Sequence, residues 1–160
     1  MWRIYLVNNL SYDSTRDTME HKDNIKKVMN LIIADLSTRK EIHDNSKLEY
    51  PEKQGYDEFI PKLKETPYGT AEYNKVRQDM MDHCLRHHYD VNRHHPEHFQ
   101  GGIRDFTIVD LVEYFCDTYA ASLKSDTPYS EGLKINAKKH NLPDVLVEIF
   151  TNTVEEYFGK

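Results

Sequence analysis

The sequence has little of what marks a disulfide-stapled, membrane-bound or nucleic-acid-coating protein. Its two cysteines form no Cys-x-x-Cys pair, which predicts reduced core thiols and argues against a thiolate zinc knuckle. The N-terminal apolar run, MWRIYLVNNL, is too short for a signal or membrane segment. The net charge is -6, whereas a general nucleic-acid binder needs a basic surface. We therefore expect a cytoplasmic protein with no membrane partner and no general nucleic-acid binding.

Charge and helical periodicity are what the sequence does have. Charged residues make up 30% of its 160 residues and hydrophobic residues 38%, a composition typical of one soluble domain with its own core. We predict an all-α, single-domain bundle of about six helices over residues 1–160, with residues 1–16 as an N-terminal arm. The predicted helices span about 17–36, 39–47, 70–89, 107–123, 131–140 and 143–158. Residues 48–68 are predicted to be a long connection with one helical turn near 58–63.

Histidine is concentrated in one stretch, HHYDVNRHHPEH at residues 87–98, which holds five of the nine histidines. Imidazole is the commonest biological metal ligand, and a buried ring needs a hydrogen-bond partner, so the run indicates a metal site. Within the helix predicted over 70–89, apolar residues recur at spacings of three and four and lead to His87. We therefore predict that His87 faces the core, with His88 at the edge of that stripe.

Three further positions can complete such a site. His21 shares the apolar stripe of the first predicted helix, where a lone histidine is more often a core or rim residue. The adjacent His43 and Asp44 would lie about 100° apart on a helix and reach one metal ion. On the helix over 107–123, three acids oppose the apolar face at spacings of three and four. That pattern usually means a solvated face, but no Lys or Arg is interleaved before Lys124, which favours a site. The acids are Asp110, Glu113 and Asp117.

This order of residues resembles the HD superfamily of metal-dependent phosphohydrolases. That superfamily combines a helical His, a His-Asp pair and a later helical Asp, with further histidines between them in two-metal members. The segment His-Asp-Asn-Ser-Lys, residues 43–47, is similar to the family's pair and the turn after it. The resemblance implies an HD-domain-like helical bundle. The histidine run is also similar to a small family of uncharacterised phage and bacterial proteins, from His21 to the C-terminal helix, which implies no chemistry.

The expected ligands follow from this resemblance and from residue chemistry. Within the run His87 and His95 are favoured as direct ligands, while the roles of His88, His94 and His98 stay open. The final acid is Asp117, with Asp110 and Glu113 as open alternatives. Nitrogen and oxygen donors without thiolate suit one or two ions of Mn, Fe, Co, Ni, Zn or Mg. The predicted metal ligands are His21, His43, Asp44, His87, His88, His95 and Asp117.

The expected function is hydrolysis of a phosphate ester by metal-activated water. The resemblance implies a nucleotide or a related small-molecule phosphate as substrate. Asp44 would orient or bridge the water, and Glu97 or Glu113 would act as a general acid or fix a ligand imidazole. The residues predicted to bind phosphate oxygens are Lys47, Arg86 and Arg93. Those predicted to act in catalysis are Asp44, Lys47, Glu97 and Glu113.

Two other functions stay open on the sequence. One is a non-catalytic, metal-stabilised binding module, such as a phage-encoded protein that binds a ligand or host factor, with a closed coordination shell. The other is an HD-type di-iron oxygenase, which uses the same ligand types. The sequence also leaves the oligomeric state open, including a homo-oligomer.

Overall fold

The structure is a computed structural model that describes residues 12–67, 70–124 and 127–159. These residues form seven α-helices linked by turns, with no β-strand among them. The predicted all-α helical bundle is confirmed, with seven α-helices in place of about six. The helices are α1 (Thr15–Ile42), α2 (Glu52–Glu65), α3 (Ala71–Met80), α4 (Arg86–Val91), α5 (Ile108–Ser122), α6 (Tyr129–His140) and α7 (Asp144–Tyr157).

The chain divides into two compact units, residues 1–35 and 36–160, with the boundary inside α1. No residue of α1 is buried; Ile25, Val28 and Met29 are 46–57% exposed. The prediction of a buried stripe shared by His21 is therefore wrong, because a helical period predicts an amphipathic face but not what covers it. Although α1 has 28 residues, neither it nor any other helix in the described ranges has the length and apolarity of a membrane span.

The predicted N-terminal arm, residues 1–16, falls mostly outside the described residues. Its last two residues, Thr15 and Arg16, already belong to α1, so the arm ends earlier than predicted. The single-domain prediction over residues 1–160 stays a prediction.

The largest corrections to the helix boundaries concern residues 37–68. α1 continues to Ile42, so the separate helix predicted over 39–47 is wrong, and Asn45–Leu48 form a 3₁₀ turn. Residues 52–65, predicted mainly as a connection, form α2. Gly55 lets α2 approach its neighbour closely, since a Cβ there would lie 2.5 Å from the Cys84 Cβ. The packing of α2 against Cys84, which is distant in the sequence, outweighs the tendency of the local proline and glycine residues to form a loop.

Two hydrophobic clusters organise residues 36–160. One joins α5, α6 and α7 and buries Ile103, Tyr114, Phe115, Leu133, Leu142 and Phe150. The other joins α2, α3 and the segment that follows α3, and buries Phe59, Met80 and Cys84. Among the described residues, the buried polar residues are Glu52, His88, His94 and Asp110. His88 follows the buried Cys84, and Asp110 precedes the buried Tyr114 on α5.

Candidate metal centre

The turn after α1 presents His43 and Asp44. α1 ends at Ile42, and Asp44 has a left-handed backbone with φ of 58° that starts the 3₁₀ turn Asn45–Leu48. His43 Nε2 lies 3.6 Å from Asp44 Oδ2. The two side chains therefore reach a common point, as the sequence predicts, although they do so from a tight turn and not from a helix.

A π-helical segment, Met81–Leu85, decides which histidine of the run enters the interior. A π-helical turn contains more residues than an α-helical one, and the buried positions here are Met80, Cys84 and His88, each four residues apart. His88 is 1% exposed, whereas the His87 side chain is 43% exposed. The prediction that His87 faces the core is wrong, because it assumed an unbroken α-helical period.

The loop after α4 returns two more imidazoles to His88. Asn92 ends the helix and its amide donates to the His88 carbonyl at 2.8 Å. His94 is 2% exposed, and its ring centroid lies 4.2 Å from that of His95. His95 Nε2 lies 2.8 Å from His88 Nε2. The loop thus places His94 and His95 in one cluster with His88 of α4.

The potential ligand atoms converge in two overlapping groups. The atoms of each group all lie within 4.8 Å of one another, which suits an ion about 2.0–2.2 Å from each nitrogen or oxygen. Asp44 and His94 belong to both groups. The His43 group is His43, Asp44, His94 and Asp117, and the His88 group is Asp44, His88, His94 and His95.

Two of the shared atoms, Asp44 Oδ1 and His94 Nε2, are buried without a hydrogen-bond partner. Asp44 Oδ1 lies 3.5 Å from His94 Nε2 and 3.4 Å from His88 Nε2. A buried polar atom without a partner costs about 1–3 kcal/mol. A cation bound between these atoms would satisfy both, so the residues present fit a metal ion.

Two carboxylates hold the far sides of the imidazole rings. Glu113 Oε1 lies 2.9 Å from His43 Nδ1 and 3.4 Å from His94 Nδ1. Glu52, which is fully buried, places Oε2 2.7 Å from His88 Nδ1. A carboxylate that accepts a proton from Nδ1 leaves the Nε2 lone pair free, and metal-binding histidines are usually oriented in this way.

Arg39 and Arg93 connect α1 and the histidine loop to α5 through the fully buried Asp110. Arg93 donates from Nε and Nη2 to the two oxygens of Asp110 at 3.0 and 2.9 Å. Arg39 Nη1 donates to Asp110 at 2.7 Å and to Glu113 Oε2 at 3.1 Å. These contacts fix the elements that carry His43, His94 and Glu113 relative to one another.

The three acids of α5 have different sets of partners, although Arg39 contacts both Asp110 and Glu113 and His43 contacts both Glu113 and Asp117. Asp110 binds the two arginines and completes a capping box with Thr107 at the helix start. Glu113 binds imidazole Nδ1 atoms. Asp117 Oδ1 lies 3.5 Å from His43 Nε2 and is the acid of the three that converges on a ligand group.

The two groups differ in charge. Hydrogen bonds to the Asp117 and Glu113 carboxylates raise the pKa of His43 to about 10. Burial, with the charge of the two neighbouring imidazoles, lowers the pKa of His95 to about 3. Burial also lowers the pKa of His88. The His43 group thus holds a protonated ring among carboxylates, whereas these two rings of the His88 group are neutral.

The three predicted phosphate-binding cations lie in different settings. Lys47 Nζ lies 2.5 Å from Asp44 Oδ2, beside both ligand groups. Arg86 is 70% exposed and pairs with Asp82 one turn earlier. Arg93 binds both oxygens of Asp110 through one edge of its guanidinium, formed by Nε and Nη2. Their roles in substrate binding stay predictions, and Lys47 is the cation that contacts a potential ligand.

The remaining predicted residues are members of neither ligand group. His21 is exposed on α1 in the first unit, and its ligand role stays a prediction. Glu97 accepts a hydrogen bond from Lys139 Nζ at 2.9 Å, and His98 Nδ1 donates to the Tyr89 carbonyl at 3.3 Å. Glu97 and His98 lie outside both ligand groups.

Sequence reasoning missed Glu52 and Arg39 and did not choose His94 among the ligands. Glu52 falls in the predicted connection, where an acid directly after Pro51 can indicate a helix start but not a histidine partner. Arg39 looks like an ordinary cation in the last turn of a helix. His94 differs from its neighbours only by the loop conformation that buries it.

Comparison with known proteins gives a family but no chemistry. No curated protein and no solved structure matches the chain. A family model covers residues 10–157, which include every member of both ligand groups. This result agrees with the expected similarity to an uncharacterised family. The chain therefore belongs to DUF5662, a family of unknown function.

Proposed function

We propose that this protein is an HD-type, metal-dependent phosphohydrolase whose two ligand groups hold one or two divalent ions. The position of Asp44 is the main support, since its Oδ2 faces His43 while its Oδ1 faces His88 and His94. Hydrolytic two-metal sites place their ions about 3.5–4 Å apart, and Asp44 would be the residue that helps to hold both. Two ions are therefore the expected number.

The donor chemistry limits the metal. Both groups offer imidazole nitrogens and carboxylate oxygens without thiolate, a set that suits Mn, Fe, Co, Ni, Zn or Mg. Such an ion lowers the pKa of a bound water and offsets charge on a phosphate group.

The residues of the chain have separate tasks in this proposal. Glu113 and Glu52 keep ring protons on Nδ1 and so present Nε2 to the centre. The His43, Asp44 and Asp117 side chains are 22–31% exposed, whereas those of His88 and His94 are almost fully buried. Substrate would therefore approach from the side of His43 and Asp117.

Lys47 is the proposed phosphate-binding residue. Its side chain is one-third exposed and its ammonium lies beside Asp44, so a phosphate at the centre would come within its reach. A lysine ammonium binds phosphate oxygens as a point charge. The proposed substrate is a nucleotide or a related small phosphate ester, by similarity to HD phosphohydrolases.

The test combines metal analysis with hydrolysis assays on a nucleotide panel in the presence of Mn²⁺ or Co²⁺. His43→Ala and Asp44→Ala should each lower kcat/KM by about a thousandfold, or about 4 kcal/mol of transition-state stabilisation. Glu58→Gln, on an exposed side chain of α2 that pairs with Lys62, is the control and should keep full activity. Full activity in both active-site variants would refute the proposal. Tightly bound iron with oxygen uptake would instead support the oxygenase.

The burial of His88 and His94 supports a second candidate, a metal-stabilised binding module without turnover. In that case the ion would have a closed shell, and chelation would lower the melting temperature although no substrate is hydrolysed. Thermal melting with and without chelator, beside the nucleotide panel, separates the two functions.

A further inference from the structure

Glu52 is a fully buried carboxylate with both oxygens in use. Its Oε1 lies 2.8 Å from His87 Nδ1. Its Oε2 lies 2.7 Å from His88 Nδ1 and accepts a hydrogen bond from Ser46 Oγ at 2.9 Å. A buried carboxylate needs such donors, but two adjacent imidazoles on one acid also constrain where the imidazoles carry their protons.

The constraint matters most for His88, because its two nitrogens face different partners. Nδ1 faces Glu52, while Nε2 lies 3.4 Å from Asp44 Oδ1 and 2.8 Å from His95 Nε2. A neutral imidazole carries one N–H. If Nδ1 donates to Glu52, the Nε2 lone pair points into the His88 group, where in the metal-free protein it accepts from His95 Nε2.

Two other groups contact His88 Nδ1, Asn92 Nδ2 at 3.0 Å and Ser46 Oγ at 3.5 Å. The Ser46 hydroxyl hydrogen goes to Glu52, so the Asn92 side-chain amide has to be weighed. The amide has two hydrogens, and Nδ2 also lies 2.8 Å from Ser46 Oγ and 2.8 Å from the His88 carbonyl. Those two acceptors account for both hydrogens. His88 Nδ1 is therefore left to donate to Glu52.

We infer that Glu52 is a positioning residue that holds the His88 proton on Nδ1 and thereby makes Nε2 a ligand for the ion of the His88 group. This inference rests on the proposed metal centre. Glu52 comes from α2, which contributes no member to either ligand group. The capacity of the group to bind an ion would therefore depend on the docking of a helix outside it.

The first experiment measures the tautomer in the unaltered protein. Long-range ¹H–¹⁵N NMR spectra of the metal-free chain should show His88 protonated on Nδ1. A proton on Nε2 would overturn the inference. This measurement needs no variant, so it decides the matter even if substitutions at Glu52 prevent folding.

The second experiment removes the acceptor in two steps and titrates the folded, metal-free variants with Co²⁺, following absorbance and bound metal. Glu52→Met, which cannot accept, should weaken the ion of the His88 group by about a hundredfold. Glu52→Gln, whose carbonyl can still accept from Nδ1, should weaken it by only about tenfold. The other ion should bind as before.

The matched controls are Glu58→Met and Glu58→Gln on the exposed face of α2, which should leave both affinities unchanged. Wild-type affinities in both Glu52 variants would overturn the inference while the proposed function stands. If the wild-type chain binds no metal ion, the proposed function fails instead, and the NMR result still reports on Glu52 separately.

Discussion

The His43 group and the His88 group share two members but are supported differently. On the His43 side the orienting acid, Glu113, is itself held by Arg39. On the His88 side the orienting acid, Glu52, accepts from Ser46 and two imidazoles. The first side is partly open to solvent and carries charge, whereas the second is buried and largely neutral.

This difference indicates a division of labour between the two groups. A cation that enters the His88 group would meet the neutral rings of His88 and His95. The one hydrogen between their Nε2 atoms would only have to move to the other nitrogen of its own ring. A cation that enters the His43 group must replace a proton held between carboxylates, since metal ligands bind in their deprotonated form. In the proposed function, the buried side would therefore bind an ion without releasing a proton from these two rings, and ions and substrate would exchange at the open side.

The largest effects are expected from substitutions of a ligand that belongs to only one of the two groups. Asp117→Asn and His88→Gln should each leave one of two ions bound. Each should lower kcat/KM by about a thousandfold. Metal analysis and hydrolysis assays measure both effects. Loss of both ions in either variant, or retention of both ions in the two variants, would show that the groups are not separate subsites.

The second test concerns Arg39, which holds Asp110 and the orienting acid of the His43 side, Glu113. Arg39→Met should lower the free energy of unfolding by about 3 kcal/mol, because it takes one cation from the buried Asp110 and from Glu113. Arg86→Met is the matched control, since its exposed pair with Asp82 contributes about 0.5 kcal/mol or less. Urea unfolding measures both values, and equal losses would contradict the interpretation.

The third test measures how the free energy of unfolding depends on pH below neutrality. Burial alone would raise the pKa of Asp110, but hydrogen bonds from Arg93 and Arg39 outweigh it and hold the pKa well below 3.8. A carboxylate with a lowered pKa stabilises the fold above its unfolded value, and this stability is lost as pH falls below it. The free energy of unfolding should therefore decline as pH falls below about 4.

Asp110→Asn should reduce that decline by up to about 1.4 kcal/mol per pH unit, whereas Asp82→Asn, at an exposed carboxylate, should not change it. The comparison is made by urea unfolding at a series of pH values. An unchanged slope in Asp110→Asn would show that the two arginines do not control this carboxyl group.

The smallest expected difference is between two helix caps. Thr107 accepts from the Asp110 amide at 3.2 Å and donates to its buried carboxylate at 2.8 Å. Thr70 caps α3 at an exposed position, accepting from the Tyr73 amide at 3.1 Å. Thr107→Ala should cost about 1–2 kcal/mol and Thr70→Ala about 0.5–1 kcal/mol. The reverse order in thermal or urea unfolding would contradict the role given to Asp110.

The sequence predicts the C-terminal half of the fold well and the N-terminal half less well. α5, α6 and α7 have regular apolar periods, and Thr107 is a good cap, so local pattern and tertiary packing agree. α2 contains Pro61 and Gly55, which locally favour a loop. Its helix depends on contacts with Cys84 and other residues far along the chain, and a local pattern does not contain them.

The candidate centre was predictable in its residue types but not in its pairings. His43, Asp44 and Asp117 are predicted ligands that converge in one group, and His88 and His95 are predicted ligands that converge in the other. The prediction that His87 faces the core is wrong, because a π-helical segment is not visible in the period of a short apolar run. Glu52 could not be found at all, since nothing near it in the sequence signals the imidazoles that it contacts.

The left-handed backbone of Asp44 limits how this centre can change by mutation. Among residues other than glycine, asparagine and aspartate adopt such a conformation most readily, while alanine carries a strain of about 1–2 kcal/mol. Asparagine would keep the turn and lose the anion, and glycine would keep the turn and lose the side chain. Aspartate is therefore the residue that most readily combines the left-handed turn with a negatively charged metal ligand at this position.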